Sequence, residues 1–196
     1  MNNTTSIMIV GVGGQGTLLA SRLLGAALLT QGYDVKVSEV HGMSQRGGSV
    51  VTYVKYAPAA EDGAAAVASP IVDVGEADVI LAFERLEAAR WLPYLKPGGK
   101  LIVNDQRIDP MPVITGAAQY PEGILESLGA YDVQAIDALA LALEVGSAKA
   151  VNVVLLGALA RQLGIPRGAW EDAIRAGVKP RFVEVNLRAF ARGYGA

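Results

Sequence analysis

The sequence contains a glycine-rich turn of the kind that binds phosphate groups. In the segment "IMIVGVGGQGTLLASRLL", residues 7–24, an apolar run leads into glycines and a helix-forming pattern follows. Gly11, Gly13 and Gly16 have the spacing G-x-G-x-x-G, in which glycines let backbone N–H groups approach a phosphate at the positive end of a helix. A tight turn that only packs a helix on a sheet has the same pattern, so both interpretations stay open.

Polar side chains around this turn add to the candidate binding site. Gln15 makes the turn polar, and Thr17 follows it with a hydroxyl that could bind an anion. Glu39 lies at the end of the second predicted strand, where dinucleotide-binding folds carry a ribose-binding carboxylate. No lysine follows the last glycine, which excludes a Walker A loop. The candidate cofactor-binding residues of this region are Gly11, Gly13, Gly14, Gln15, Gly16, Thr17 and Glu39.

A second polar loop lies in "SEVHGMSQRGGSVV", residues 38–51, and supplies the candidates His41, Ser44, Gln45, Arg46 and Gly47. Ligands of open parallel sheets gather beyond the carboxyl ends of the strands, so we expect the two loops to face each other across one cleft. An arginine flanked by glycines suits a phosphate or carboxylate, although a surface ion pair is the alternative. A loop histidine bonded to backbone is the alternative for His41. These residue types identify no catalytic group and no metal site.

Strand-like and helix-like segments alternate along the chain and predict an α/β fold. Strands are predicted at 7–10, 33–40, 49–56, 77–83, 100–105 and 131–137, with helices from Thr17 and at 84–95, 122–129, 138–164, 166–178 and 180–195. The connection from 41 to 48 is too short for a crossover helix, which makes the strand at 49–56 antiparallel to its neighbour or an edge strand. We expect one domain over residues 1–196, a three-layer Rossmann-like sandwich whose sheet is mostly parallel with at least one antiparallel strand.

Composition excludes several classes of function. The chain has 196 residues, no cysteine and one histidine, so neither an iron–sulfur cluster on its own thiolates nor a His-rich metal site is expected. A net charge of −2 gives no electrostatic case for nucleic acid. The polar N-terminus and the lack of a membrane-length apolar run predict a cytoplasmic protein.

Three segments together resemble a known family. "GVGGQGTLLASRLL", "VKVSEVHGMSQRGGSVVTYV" and "EADVILAFERLEAARWLPYLKPGGKLIVN" are similar to the gamma-type domain of 2-oxoacid:ferredoxin oxidoreductases, with most likeness to the indolepyruvate branch. The likeness runs over nearly the whole chain and ends with "RFVEVNLRAFARGY". It implies the smaller subunit of a heteromeric enzyme that oxidatively decarboxylates an arylpyruvate to an acyl-CoA and passes electrons to ferredoxin.

The resemblance also implies which subunit carries each cofactor. In that family, thiamine diphosphate and iron–sulfur clusters drive the chemistry, and this chain has neither cysteine nor a "GDG" followed by paired asparagines. Both groups are therefore expected on a larger alpha subunit. Coenzyme A is expected at a cleft that this chain completes, and the chain alone is expected to have little activity. The residues leave open a free-standing NAD(P)-binding dehydrogenase or regulator, and a flavin- or coenzyme A-binding module of another pathway.

Overall fold

A six-stranded mixed sheet forms the middle of the molecule. The computed structural model describes residues 4–41, 47–60 and 64–196. Its strands are β1 (Thr5–Val12), β2 (Tyr33–His41), β3 (Ser49–Pro58), β4 (Ala77–Ala82), β5 (Leu95–Asn104) and β6 (Asp132–Ile136), in the order β2-β3-β1-β4-β5-β6. β3 runs antiparallel to both its neighbours, and β1, β4, β5 and β6 are mutually parallel. The prediction of a mostly parallel sheet with an antiparallel strand is confirmed.

Eight helices accompany the strands in the part of the chain that the structure describes. They are α1 (Thr17–Thr30), α2 (Arg85–Trp91), α3 (Met111–Ile114), α4 (Ile124–Ser127), α5 (Ala138–Glu144), α6 (Val151–Leu163), α7 (Arg167–Gly177) and α8 (Val183–Tyr194). The helical segment predicted over 138–164 is interrupted between α5 and α6, where Gly146 has a positive φ and a 3-10 turn follows. None of the helices described is long and apolar enough to cross a membrane.

The alternation of side chains along β1 separates two apolar cores. Ile7 and Ile9 pack with α1 and α5–α8 on one face of the sheet, whereas Met8 and Val10 pack with α2 and α4 on the other. All four side chains are fully buried. Successive strand residues point to opposite faces, so a continuous apolar run is what a strand covered on both faces requires. The three-layer arrangement is confirmed.

β3 lies between β1 and β2, so its amino end is next to the glycine turn that follows β1. β1 and β2 both run toward the same edge of the sheet, but β3 pairs with each of them and makes β2 the edge strand. The carboxyl ends of β1, β2, β4, β5 and β6 therefore meet at one edge, together with the amino end of β3. This carboxyl edge carries both predicted loops.

Two segments differ from the sequence-based expectation. β5 begins at Leu95, the last residue of the helix predicted over 84–95, and it includes the segment "KPGG" before the predicted strand. Its pairing with β4 is irregular between Ala77 and Val79. Gly98 has a φ of +76°, a conformation that favours glycine and allows the strand to continue through this irregularity. No helix is predicted between the strand at 100–105 and the helix at 122–129, yet this segment contains the single-turn helix α3, which has a proline in its first turn.

Candidate functional site

The glycine turn joins β1 to α1 and requires glycine at two positions. Gly14 has a φ of +105° and Gly16 a φ of +86°, in the left-handed region that side chains disfavour. A Cβ on Gly16 would also lie 2.7 Å from Nδ2 of Asn152, whose side-chain amide donates to the Gly16 carbonyl at 3.3 Å. Gly11 lies within β1, where a Cβ would come within 2.9 Å of Gln15 Oε1 and Phe83 Cβ.

Gln15 fixes the turn from within. Its Oε1 accepts the Val12 N–H at 2.7 Å, while its Nε2 donates to the Phe83 carbonyl at 2.8 Å and to Gln106 Oε1 at 3.3 Å. The side-chain amide therefore links the carboxyl ends of β1 and β4 with the segment after β5. Three protein partners occupy its polar atoms, so the contribution of Gln15 here is to position the glycine turn.

Asn104 completes this polar network and was not among the candidates from sequence. It is almost fully buried, and its Nδ2 donates to the Phe83 carbonyl at 3.1 Å and to Gln106 Oε1 at 3.0 Å. Its Oδ1 accepts the Ala138 N–H at 3.2 Å, which extends the network to the start of α5. A polar residue ending a strand that is otherwise apolar, "KLIVND", was the available signal. The network ties together the carboxyl ends of four strands.

Backbone hydrogen bonds connect the glycine turn with the second predicted loop. The Gly13 N–H donates to the Gly48 carbonyl at 2.8 Å, and the Gly47 N–H donates to the Gly13 carbonyl at 3.2 Å. The described ends of the two loops are therefore adjacent, and that the loops face each other across one cleft stays a prediction. Ser44, Gln45 and Arg46 lie outside the described residues, so their role as candidates stays a prediction.

Two cavities open on either side of the glycine turn. The strand-side cavity, of about 460 Å³, is lined by Gly13, Gly14, Gly16, Thr17, Glu39 and His41 among others. The helix-side cavity, also of about 460 Å³, is lined by Gly14, Gln15, Gly16, Gln106, Lys149 and Asn152 among others. The structure thus brings the candidates Glu39 and His41 together with the turn, and it adds Lys149 and Asn152 from the opposite side.

The position of Glu39 differs from that of a ribose-binding carboxylate. In dinucleotide-binding folds that carboxylate ends the strand next to β1. Here Glu39 pairs with Thr52 of β3, which pairs in turn with Ile9 of β1, so the antiparallel strand separates Glu39 from β1. Two strand spacings amount to about 10 Å. The inserted strand therefore removes the geometry on which the NAD(P) interpretation depends.

The first turn of α1 offers unpaired donors to this edge. The first intrahelical hydrogen bond runs from the Ala20 N–H to the Gly16 carbonyl, which leaves the N–H groups of residues 17–19 outside the helical ladder. No side chain caps this helix and its first turn has no acidic residue. Thr17 is 6% exposed, and its hydroxyl makes no hydrogen bond with any described residue. Backbone donors outside the helical ladder, at the positive end of a helix dipole, suit an anion.

A third cavity, of about 400 Å³, contains two buried carboxylates that sequence reasoning missed. Glu84 and Glu87 are 1% and 4% exposed and line it together with Ser49 and Arg90. Glu84 accepts from the N–H groups of Glu87 at 3.0 Å and Ile108 at 3.2 Å, and from the hydroxyl of Tyr120. Glu84 therefore caps α2 and holds the segment after β5. No group of three potential metal ligands occurs within the described ranges.

The pair of Tyr120 and Glu84 predicts a pH-dependent stability. Burial and then the Glu84 carboxylate raise the pKa of Tyr120 above its ordinary value of 10.0. Above pH 10 the unfolded chain loses this proton before the folded chain does, so the free energy of unfolding falls as pH rises. We expect Tyr120→Phe to cost about 1–3 kcal/mol at pH 7, because a buried carboxylate loses a donor, and to cost less as pH rises above 10.

Urea unfolding of the wild type and of Tyr120→Phe at pH 7, 9 and 11 measures this difference. The matched control is Tyr131→Phe, since Tyr131 is 46% exposed and its hydroxyl makes no hydrogen bond with a described residue. That control should unfold like the wild type at every pH. A stability difference for Tyr120→Phe that stays constant from pH 7 to 11 would contradict the assignment.

Comparison with known proteins places this architecture in context. The family model described as pyruvate ferredoxin/flavodoxin oxidoreductase matches residues 6–196. The chain is 45% identical to the indolepyruvate oxidoreductase subunit IorB of Thermococcus kodakarensis, over 97% of this chain and 95% of that protein, and 45% identical with the same coverage to IorB of Pyrococcus horikoshii. The crystal structure of the keto/oxoacid ferredoxin oxidoreductase gamma subunit from Geobacter sulfurreducens PCA superposes with a TM-score of 0.70 at 26% identity, covering 97% of this chain and 96% of that one.

Proposed function

The chain belongs to the pyruvate ferredoxin/flavodoxin oxidoreductase family, and we propose that it is the smaller subunit of a heteromeric enzyme that oxidises indolepyruvate and other arylpyruvates to acyl-CoA. The observation that carries this proposal is the 45% identity to two indolepyruvate oxidoreductase subunits over nearly the full length of both proteins. The whole chain 1–196 acts in this proposal as a single gamma-type domain in the cytoplasm.

The sequence supports a partner that carries the redox groups. With no cysteine, the chain has no thiolate to hold an iron–sulfur cluster. Thiamine diphosphate, which supplies the carbanion chemistry of oxoacid decarboxylation, has no matching "GDG" segment here. Both groups belong to a larger alpha subunit, and ferredoxin receives electrons from the assembled complex.

The contribution of this chain is to shape the cleft at the carboxyl edge. The uncapped start of α1 and the unpaired hydroxyl of Thr17 are donors without acceptors, and such donors fit the phosphate groups of coenzyme A. Gln15 and Asn104 hold these donors in place through hydrogen bonds to the Phe83 carbonyl. A preorganised cradle of this kind orients a bound acyl acceptor without ordering the protein at the moment of binding.

Reconstitution with the larger subunit tests the proposal. Oxidation of indolepyruvate, phenylpyruvate, pyruvate and 2-oxoglutarate would be measured with coenzyme A and ferredoxin, using this chain alone, the partner alone and the co-expressed pair. We expect turnover only by the pair, with kcat/KM highest for the two arylpyruvates. In this proposal the chain carries neither thiamine diphosphate nor an electron carrier. We therefore expect kcat/KM of the chain alone to be at least about a thousandfold lower than that of the pair.

Two results would contradict the proposal. One is full turnover of an arylpyruvate by the isolated chain. The other is failure of the chain to form a complex with any thiamine-dependent subunit. Micromolar binding of NAD(H) or NADP(H) by the isolated chain would instead favour the free-standing dehydrogenase or regulator.

A further inference from the structure

The outer side of β2 is a long edge of the sheet, far from the cleft described above in its first half. β2 ends the strand order, its nine residues pair with β3 in an unbroken register, and no described strand pairs with its other side. Edge strands are templates for pairing with another chain, and short length, proline and bulges are common protections against it. β2 has none of these three, whereas β6 at the opposite edge has only five residues.

The alternation of hydrogen bonds along β2 determines which backbone groups face outward. The Ala59 N–H donates to the Gly32 carbonyl at 3.1 Å, and this contact lies directly before the first residue pair of β2 and β3. In an antiparallel ladder, every second residue of a strand bonds to the same neighbour. The even-numbered residues of β2 therefore bond to β3, and Tyr33, Val35 and Val37 direct their N–H and C=O groups to the outer side.

We propose that this edge pairs with the same edge of a second copy of the chain, in antiparallel orientation about a two-fold axis at Val35. In this register, Val35 lies opposite the second copy's Val35, and Tyr33 of each copy lies opposite Val37 of the other. The outward N–H and C=O groups of these three residues then bond to one another. The pairing joins two six-stranded sheets into one and does not depend on the proposed function.

Charge favours this register over the neighbouring ones. The axis at Val35 places Asp34 of each copy opposite Lys36 of the other. Within one chain, Lys36 Nζ lies 3.2 Å from Asp34 Oδ1, so the charges of the two copies alternate in sign around the axis. An axis at Lys36 would place two lysines opposite each other, and an axis at Val37 would place Lys36 opposite Ser38. Opposite charges directly across antiparallel strands stabilise the pairing and like charges destabilise it.

The same register covers an exposed apolar side chain. Tyr33 and Val35 lie on the face of β2 that packs against α1, where both are partly buried against the core. Val37 lies on this face too, but it is 46% exposed. In the paired sheet, the second copy's Tyr33 lies directly across from Val37. Aromatic and β-branched residues form favourable cross-strand pairs, so the second copy supplies the packing partner that Val37 lacks within its own strand pair.

Sedimentation equilibrium of the full chain over a range of concentrations tests the pairing. We expect the wild type to form a reversible dimer. Lys36→Asp places carboxylates opposite each other on both sides of the axis, and we expect it to raise the Kd of the dimer by at least about a hundredfold. Asp34→Lys does the same with lysines. In a mixture of the two variants every lysine again faces a carboxylate, so we expect the mixture to form a heterodimer although each variant alone is a monomer.

Asp132→Lys is the matched control, because it makes the same charge change on β6, the strand at the opposite edge. The Asp132 side chain is 63% exposed and pairs with Lys100 at 2.6 Å, so this variant also loses a lysine–aspartate pair. It should dimerise like the wild type. Asp34 also accepts the Val67 N–H at 2.9 Å, so thermal unfolding is needed to check that Asp34→Lys is folded. Lys36→Asp leaves that hydrogen bond in place.

Hydrogen exchange of the wild type tests the register without any substitution. The N–H groups of Tyr33, Val35 and Val37 should exchange slowly in concentrated protein and faster after dilution, because only the second copy protects them. The N–H groups of Lys36 and Ser38 are the internal control. They bond to β3 within the chain, so their exchange should not depend on concentration.

Three outcomes would overturn the proposal. A wild-type chain that stays monomeric at every concentration would contradict self-pairing. A Lys36→Asp chain that dimerises as tightly as the wild type would show that the copies meet through another surface. If the outward N–H groups became protected only when the larger subunit was added, the edge would pair with that subunit instead. None of these results bears on arylpyruvate oxidation, so the proposed function and the pairing can fail separately.

Discussion

Replacing Gly193 by alanine is expected to destabilise the fold by about 3 kcal/mol or more, which lowers Tm by about 6–12 °C for a chain of this length. A Cβ on Gly193 would lie 1.8 Å from the Val154 carbonyl oxygen, and a Cβ on the facing Gly157 would lie 2.2 Å from the Phe190 carbonyl oxygen. The backbones of α6 and α8 are therefore in direct contact at their crossing.

A rotamer change cannot relieve the overlap of a new Cβ, because the atoms that it meets are the backbone carbonyl oxygens of Val154 and Phe190. Separating the helices would draw Phe190 away from Trp170, whose ring centre lies 6.1 Å from it in the same buried core. Trp170 and Phe190 are both fully buried. The cost therefore includes lost packing around two large aromatic side chains as well as the initial overlap.

Thermal unfolding of Gly193→Ala measures this effect, with Gly25→Ala as the matched control. Gly25 is buried in the interior of α1, but a Cβ there meets no atom within 4 Å. Its replacement should be neutral or should stabilise the protein by up to about 1 kcal/mol, because alanine is the better helix former. If the two variants unfolded at the same temperature, the result would contradict the direct backbone contact between α6 and α8.

Local patterns predicted the central strands of this fold well because their residues are buried on both faces of the sheet. The run "IMIV" supplies Ile7 and Ile9 to one core and Met8 and Val10 to the other, so a short apolar segment sufficed to predict a central strand. The short connection after His41 likewise predicted an antiparallel β3. The position of β3 between β1 and β2 depends on pairing between distant segments, which no local pattern contains.

The part of the candidate site that could be predicted is the part that is contiguous in sequence. A strand, a glycine turn and a helix are contiguous in sequence, so the cradle at Gly14 and Gly16 could be found. Gln15 bonds to Phe83 and Gln106, which lie 68 and 91 residues away, and its role as a brace depends on those partners. Asn152 lies 136 residues from Gly16, so its hydrogen bond to the turn could not be predicted from a local pattern.

Replacing Gly16 by alanine should produce the second large effect, at the glycine turn itself. The left-handed backbone would cost about 1–2 kcal/mol with any side chain. The new Cβ would also lie 2.7 Å from Nδ2 and 3.4 Å from Cβ of Asn152, which is held in a buried position. We expect a total loss of about 3 kcal/mol in the free energy of unfolding. In the reconstituted complex we expect a rise of at least about tenfold in KM for coenzyme A, because Asn152 and the start of α1 are displaced together.

Gly14→Ala is the matched comparison, because Gly14 has a φ of +105° with no atom within 4 Å of a Cβ there. Gly14→Ala should lower the free energy of unfolding only by the cost of a left-handed backbone with a side chain, about 1–2 kcal/mol. A double-mutant cycle then isolates the contact: in an Asn152→Ala background, the stability loss of Gly16→Ala should shrink toward that of Gly14→Ala. If the loss for Gly16→Ala were the same with and without Asn152, the turn would be constrained by its backbone alone.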